Sequence, residues 1–406
     1  MRGAESDANG AAASLVAERP PYVILVAISA VGPLALNIFV PSMPGLQSEF
    51  GVSYGVVQLT LTLYIIGMAL CQLVYGPLSD RFGRRPVLLG GMALFVVASV
   101  VAALATSIGM LIAARLLQAI GGASGLVLSR AIVRDLYDRD RSASVLGYIT
   151  MAFVVAPMLA PTIGGLLDQI AGWRAIFVLL ALLGGAALAV TWRKLPETNR
   201  NLAPSIRLSG LAAGYMGLLR LPSYLAYAFT LGFSSAVFFA FIAGAPYVMV
   251  VVLGQKPLDY GLWFMVVSIG YMLGNFLSGR YSQRLGTDRM VTIGNLVTLA
   301  AGLASLTAAV AGAITPVTLF VPMLFAALGN GLTIPNATAG AISVHASKVG
   351  TAAGLAGFLQ MGIGAGSAQL VGILQDGAPY AVFWIMATAA VLAALTHRLA
   401  LRVRAG

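Results

Sequence analysis

The sequence predicts an all-α membrane protein whose twelve transmembrane helices form two pseudo-symmetric six-helix bundles. Three observations predict it. Of 406 residues, 59% are hydrophobic and only 9% charged, against about 25% charged in a soluble globular protein. Apolar runs of about 20 residues, each enough for one helical crossing, recur twelve times along the chain. A short charged pattern between the second and third runs returns between the eighth and ninth.

Taken in order, residues 1–20 hold Glu5, Asp7 and Glu18 without the apolar stretch of a cleaved leader, and read as a disordered cytoplasmic tail. The first bundle, residues 21–192, has spans at about Tyr22 to Met43, Val56 to Leu78, Pro86 to Thr106, Ile108 to Ala131, Ser142 to Leu167 and Trp173 to Trp192. Residues 193–222 form a basic cytoplasmic linker whose sole acid is Glu197. Its second part, Ile206 to Leu221, fits either an amphipathic helix along the membrane surface or a disordered segment. The second bundle, residues 223–398, has spans at about Ser223 to Val248, Asp259 to Gly279, Arg289 to Ala311, Thr315 to Ala341, Gly350 to Leu374 and Ala378 to His397, followed by a cytoplasmic tail over 399–406.

The net charge of +11 is a topology signal. With the N-terminus inside, all but Arg115, Arg174 and Lys256 among the 24 Lys and Arg lie in the tails, in inner loops or at inner span ends, as bases in short loops do. Both termini are then cytoplasmic, and the bases, dispersed over loops facing a bilayer, imply no nucleic-acid partner. The single Cys71 has no cysteine to pair with and packs as a small hydrophobe. The chain has no G-x-x-x-x-G-K-S/T phosphate loop and no H-E-x-x-H, and neither His345 nor His397 has Cys or an acid pair beside it. No enzyme activity, cofactor or metal is therefore expected.

The repeated loops are Gly76-Pro77-Leu78-Ser79-Asp80-Arg81-Phe82-Gly83-Arg84-Arg85-Pro86 and Gly279-Arg280-Tyr281-Ser282-Gln283-Arg284-Leu285-Gly286, which share G-x-x-S-x-R-x-G. One pattern at the same place in each half marks a duplicated transporter, with its substrate site between the repeats near the bilayer midplane.

The first loop resembles the signature G-x-x-x-D-R-x-G-R-R of the major facilitator superfamily, matching at Gly76, Asp80, Arg81, Gly83, Arg84 and Arg85. Span four contains Arg115-Leu116-Leu117-Gln118-Ala119-Ile120-Gly121-Gly122, similar to the superfamily's R-x-x-Q-G-x-G with Ala119 for the first glycine. Span five contains Ala160-Pro161-Thr162-Ile163-Gly164-Gly165, similar to the G-P-x-x-G-G element that accompanies antiporters. With Arg130 to Tyr137 and Gly172 to Phe177, these elements resemble the bicyclomycin/chloramphenicol-resistance branch of twelve-span drug:proton antiporters, over the whole N-terminal half and, by topology, the C-terminal half. The resemblance implies the major facilitator fold, and a latch in which Asp80 and Arg81 engage Asp135 and the start of span eleven near Gly350 in the outward-facing state. Charges that serve only topology are the plainer reading of that cluster.

Pro157, Pro161, Gly164 and Gly165 would bend span five and admit a close neighbour, either for a rocking interface or for static packing. Gly350 with Gly354, and Gly362 with Gly366, suggest small-residue faces on span eleven. Polar groups inside spans normally face a cavity. Arg115 lies about seven residues into span four, roughly 10 Å deep, and Asn37 about fifteen into span one, roughly 22 Å from the other side, so the two sit at similar depth. Tyr64, Gln118, Tyr271, Asn275, Asn330, Asn336 and Gln360 complete the candidate substrate-binding set, each alternatively an interhelical hydrogen bond. No carboxylate occupies the middle of a span: where the resembling branch carries an acid in D-x-Y-x-P, this chain has Asn37-Ile38-Phe39-Val40-Pro41. A monovalent cation about 6 Å from an unneutralised Arg115 would be repelled by roughly 3 kcal/mol at an effective dielectric of about 20, which favours a neutral or anionic substrate.

The expectation is a monomeric secondary exporter of small lipophilic drugs or antibiotics in the inner membrane, with protons as partner ion. A proton-independent facilitator or exporter of a polar metabolite stands beside it, favoured by Asn37. A receptor or channel is the third reading.

Overall fold

A computed structural model describes residues 22–137, 139–199, 202, 208–344, 349–375 and 380–405. The expected tail over residues 1–20 and the loop histidine His345 lie outside the described residues. What is described is helix joined by tight turns. Eleven helices are long and apolar enough to cross a membrane, and Arg139–Ala171, with 33 residues, is the twelfth of spanning length. The chain is a multi-pass membrane protein.

The spans are longer than their apolar runs because polar residues continue the helices past the lipid boundary. Span one is the helix Tyr22–Ile38, extended through a 3-10 turn at Val40–Ser42 into the helix Met43–Phe50. Pro41 and Pro44 are the second residues of those two pieces, within the first turn, where a helix N–H has no intrahelical partner to lose. Spans two to six are Tyr54–Phe82, Arg84–Ala103, Ile108–Leu136, Arg139–Ala171 and Trp173–Lys194. The linker contains the helix Leu208–Leu219. Spans seven to twelve are Pro222–Tyr247, continued by a wider π-turn over Val248–Val252, then Pro257–Leu285, Thr287–Val310, Pro316–Ser343, Val349–Gln375 and Ala381–Ala405.

The two repeated loops adopt one conformation. Gly83 has φ 97° and ψ 152°, and Gly286 has φ 84° and ψ 151°. Positive φ of this kind is open to glycine and strained for other residues, which explains why the last letter of the repeat is Gly in both halves. Each glycine N–H closes onto the serine carbonyl of its own motif, Ser79 or Ser282. The turn after span three's start is capped from a distance: Glu197 accepts from the backbone N–H groups of Arg84 at 2.9 Å and Arg85 at 3.0 Å, an anion at a helix N-terminus.

Two antiparallel seams join the halves. Span two runs along span eleven, and span five along span eight. On the first seam, a Cβ at Gly55 would meet the Gly372 carbonyl at 3.3 Å, Thr62 Oγ1 donates to Gln369 Oε1 at 2.8 Å, and Gln369 Nε2 donates to the Gly55 carbonyl at 3.1 Å. On the second, a Cβ at Gly165 would meet the Pro257 carbonyl oxygen at 2.6 Å and one at Gly261 the Pro161 carbonyl oxygen at 2.6 Å, while Thr162 Oγ1 donates to the Gly261 carbonyl at 2.8 Å. These contacts lie toward the end of the bundle opposite the arginine-rich loops, and the first seam continues past its middle to Gln72, whose Nε2 donates to Met361 Sδ at 3.1 Å. Tyr54 adds a hydrogen bond to the Ala243 carbonyl at 2.8 Å and a ring contact with Tyr247.

Of the four small residues expected to pack span eleven, Gly354 has a neighbour, at ordinary contact distance: its Cβ would lie 3.9 Å from the Gln72 carbonyl and from Leu73 of span two. A Cβ at Gly350, Gly362 or Gly366 would meet nothing within 4 Å. Gly357 faces the Gln72 side chain, Gly364 the Phe239 ring, and Gly372 Gln58 and Gly55. The packed face thus carries glycines seven and then eight residues apart, because two neighbours, spans two and seven, alternate along it.

Candidate functional site

Between the halves, on the arginine-loop side of the second seam, lies a cavity of about 1070 Å³, counting its open mouth. The N-terminal half lines it with Pro33, Leu36 and Asn37 of span one, Ile65 and Met68 of span two, and Pro157 and Met158 of span five. The C-terminal half adds residues of spans seven, eight, ten and eleven, among them Phe238, Phe264, Tyr271, Asn330, Gln360 and Met361. Pro33 and Pro157 stand inside helices, where proline removes a backbone hydrogen bond.

Of the nine polar candidates, Asn37, Tyr271, Asn330 and Gln360 line the cavity. The wall is apolar around them, and none of the described lining residues is an acid, Lys, Arg or His. Gln360 Nε2 donates to Ser235 Oγ at 2.7 Å across spans eleven and seven. Asn275 instead turns its amide back onto the Tyr271 carbonyl at 2.8 Å. Asn336 ties spans ten and eight, donating to Ser278 Oγ and the Leu332 carbonyl, both at 2.8 Å.

Arg115, Gln118 and Tyr64 are fully buried and sit behind the cavity wall rather than on it. The cause is close helix packing. A Cβ at Gly122 would lie 3.1 Å from Gly32 Cα, so span four is drawn against span one and its side chains are covered by it. The Arg115 guanidinium donates to the Ala35 carbonyl at 2.9 Å and Gln118 Oε1 at 2.7 Å. Its carbon lies 4.2 Å from the Tyr64 ring centroid, 5.1 Å from Phe39 and 5.9 Å from Phe177, an aromatic cage with cation–π attraction. Gln118 Nε2 passes the chain of bonds to Ser99 Oγ at 2.7 Å, and Tyr64 donates to the Gly32 carbonyl at 2.9 Å. No carboxylate among the described residues pairs with Arg115.

The gating candidates separate likewise. Arg84 bridges Asp80 at 2.6 Å and Asp135 at 3.1 Å, and Arg85 donates to the Leu195 and Trp192 carbonyls at 2.8 Å. These bonds tie spans two, three, four and six together, all within the N-terminal half. Arg81 also has a partner, and Gly76 is open to a Cβ. At span five, a Cβ at Gly164 would collide with the Ile38 carbonyl of span one, and Pro161 and Gly165 form the second seam.

Sequence reasoning missed the methionines and phenylalanines of the wall, since an apolar residue facing a cavity reads like one facing lipid. The helix-internal prolines were the one available signal. It also left His397 without neighbours, whereas the fold buries it beside Thr292 Oγ1 at 3.0 Å and the Asp288 carbonyl at 3.1 Å.

With this geometry in view, three comparisons bear on the chain. The Major Facilitator Superfamily model matches residues 25–369. The bicyclomycin resistance protein homolog of Haemophilus influenzae is 30% identical over 373 residues, 91% of this chain and 93% of that protein. Multidrug resistance protein D of Escherichia coli is 34% identical over 344 residues, 85% of this chain and 86% of that protein. The crystal structure of a D-xylose-proton symporter matches with a TM-score of 0.74 at 17% identity, covering 93% of this chain and 96% of that one, which shows a common fold.

Proposed function

The chain belongs to the major facilitator superfamily, in the branch of the bicyclomycin and chloramphenicol resistance proteins, and from that premise we propose that it exports small lipophilic drugs or antibiotics by alternating access. In this reading it is a monomer of the inner membrane with both termini and the arginine-rich end cytoplasmic. The seam contacts toward the opposite end then close the outer side, and the cavity belongs to an inward-facing state. Asp80, Arg84 and Asp135, bonded within their own half, are the released latch.

One observation carries the substrate class: a cavity between the halves, walled by apolar and aromatic side chains with few polar groups and no ionised one among its described residues. Met68, Met158 and Met361 add unbranched, adaptable side chains, suited to accepting several shapes. Arg115 keeps its uncompensated charge one helix behind the wall, which works against a cationic substrate. The substrate is therefore neutral or anionic.

Protons are the proposed driving ion, carried by Asp80 or Asp135 or by a carboxylate on the substrate. Asn37, standing where a span-one acid would bind protons, favours the alternative of proton-independent export, although the apolar wall speaks against a polar metabolite. Uptake of a panel of neutral, anionic and cationic lipophilic compounds into proteoliposomes, with an imposed pH gradient and with an uncoupler, tests both points. Export of neutral or anionic compounds that collapses with the gradient is expected. Strong preference for organic cations would contradict the substrate reading, and rates indifferent to the uncoupler would favour the second mechanism.

A further inference from the structure

Polar groups on the cavity wall fall into two kinds. Some are already held by the protein: Gln360 Nε2 donates to Ser235 Oγ at 2.7 Å, and Ser268 Oγ donates to the Phe264 carbonyl at 3.1 Å. Asn330 is different. It lines the cavity from span ten, is 2% exposed, and neither its Nδ2 nor its Oδ1 has a partner among the described residues. Asn37 faces the same space from the other half with 3% exposure. It donates Nδ2 to the Pro33 carbonyl at 2.9 Å and leaves Oδ1 buried without a partner.

A buried carboxamide with nothing to bond is costly, and it offers two donors and an acceptor in one plane. Helices ordinarily hide such a group by bonding it to a neighbour, as Asn336 does two turns along the same span. At Asn330 the fold instead leaves both functions covered and unbonded, in a residue that lines an apolar space. The group complementary to a carboxamide edge is another N–H and C=O edge. An ionised ligand would find no counter-charge among the described lining residues, and a hydrocarbon would leave every one of these atoms unpaired.

Resting on the export reading above, we propose that Asn330 is a specificity-determining residue that selects uncharged lipophilic molecules bearing a secondary amide, lactam or imide edge, with Asn37 Oδ1 accepting from a second N–H or O–H of the same molecule. The amide N–H of the ligand donates to Asn330 Oδ1, and Asn330 Nδ2 donates to the ligand carbonyl. Because Asn37 and Asn330 stand on different halves, a molecule that satisfies both bridges them, so recognition and the relative position of the halves are linked. A ligand with one amide edge uses Asn330 alone and tests that residue in isolation.

The experiment compares para-butylacetanilide with its N-methylated analogue, which keeps the carbonyl and loses the N–H, as carrier-dependent uptake into proteoliposomes over empty ones. Wild type is expected to favour the N–H form by roughly five- to hundredfold in initial rate, the span that an unpaired buried polar group produces. In Asn330→Leu the preference should shrink to about twofold or less, since the discriminating group is gone. That variant should still carry the N-methylated compound, and its melting temperature should equal or exceed that of wild type because no protein hydrogen bond is lost. Equal rates for the two compounds in wild type, or a preference that survives in Asn330→Leu, overturns the assignment. The compound pair on wild type decides even if the variant does not fold. Wild type that moves lipophilic compounds without regard to the N–H refutes this inference alone, whereas wild type that moves no member of the broader panel refutes the export reading on which it rests.

Discussion

Arg115 and Asn37 show how far a single residue can be read before its neighbours are known. Their depth in the membrane follows from helical rise, and both lie near the level of the cavity. Their roles part because span four packs on span one through Gly122 and Gly32. The guanidinium is thereby enclosed by Phe39, Tyr64 and Phe177, and Asn37 is left on the cavity wall. Polarity alone marked both as functional candidates, and it could not tell a helix-to-helix hydrogen bond, as at Asn336, from an unbonded amide in a cavity-lining residue, as at Asn330. A carboxylate at position 37 would add a group able to take up a proton within the cavity. Asn37→Asp is expected to make transport more dependent on an imposed pH gradient, by up to about tenfold per pH unit for one coupled proton, measured as initial uptake rates at several internal pH values. Unchanged dependence in the purified protein would separate this position from proton coupling.

At the scale of the element, span five is the helix whose composition says most. Pro157 stands beside the cavity, Gly164 lets it touch span one, and Gly165 lets it touch the start of span eight. A Cβ at Gly165 would stand 2.6 Å from the Pro257 carbonyl oxygen, so a larger side chain there overpacks the seam by about 1–3 kcal/mol. Gly165→Val is expected to disfavour the closed seam and shift the population about five- to hundredfold toward the state open at that end. Accessibility of engineered cysteines to a membrane-impermeant thiol reagent added from outside reports the shift. Labelling identical to the parent would mean that the seam is not the outer gate. The glycines of span eleven carry the opposite lesson. Spacing marked Gly350, Gly354, Gly362 and Gly366, and the closest packing uses Gly357, Gly364 and Gly372, because the face that matters is set by which neighbours the tertiary fold supplies.

For the molecule as a whole, alternating access requires that the first seam open. Thr62 and Gln369 meet across it at 2.8 Å, and Cys71 is the single native thiol. In a Cys71→Ser background, Thr62→Cys with Gln369→Cys joined by a short bis-methanethiosulfonate, which forms a disulfide with each thiol, should abolish transport, and reduction of those disulfides should restore it. Transport undiminished by complete cross-linking would rule out opening along this seam. The number of spans, their grouping into halves and the repeated inter-span loop were legible in the chain, because lipid demands about 20 apolar residues per crossing and because Gly83 and Gly286 occupy a backbone conformation that other residues resist. The uneven distribution of the bases along the chain was legible too, since charge is a local property of the loop that carries it. Only the tertiary structure decided which polar side chains face the cavity and which face another helix. That choice depends on the rotation of each helix about its axis, and in a bundle with lipid on one side and protein on the other, rotation is set by the close contacts of small residues on neighbouring spans rather than by any pattern within one span.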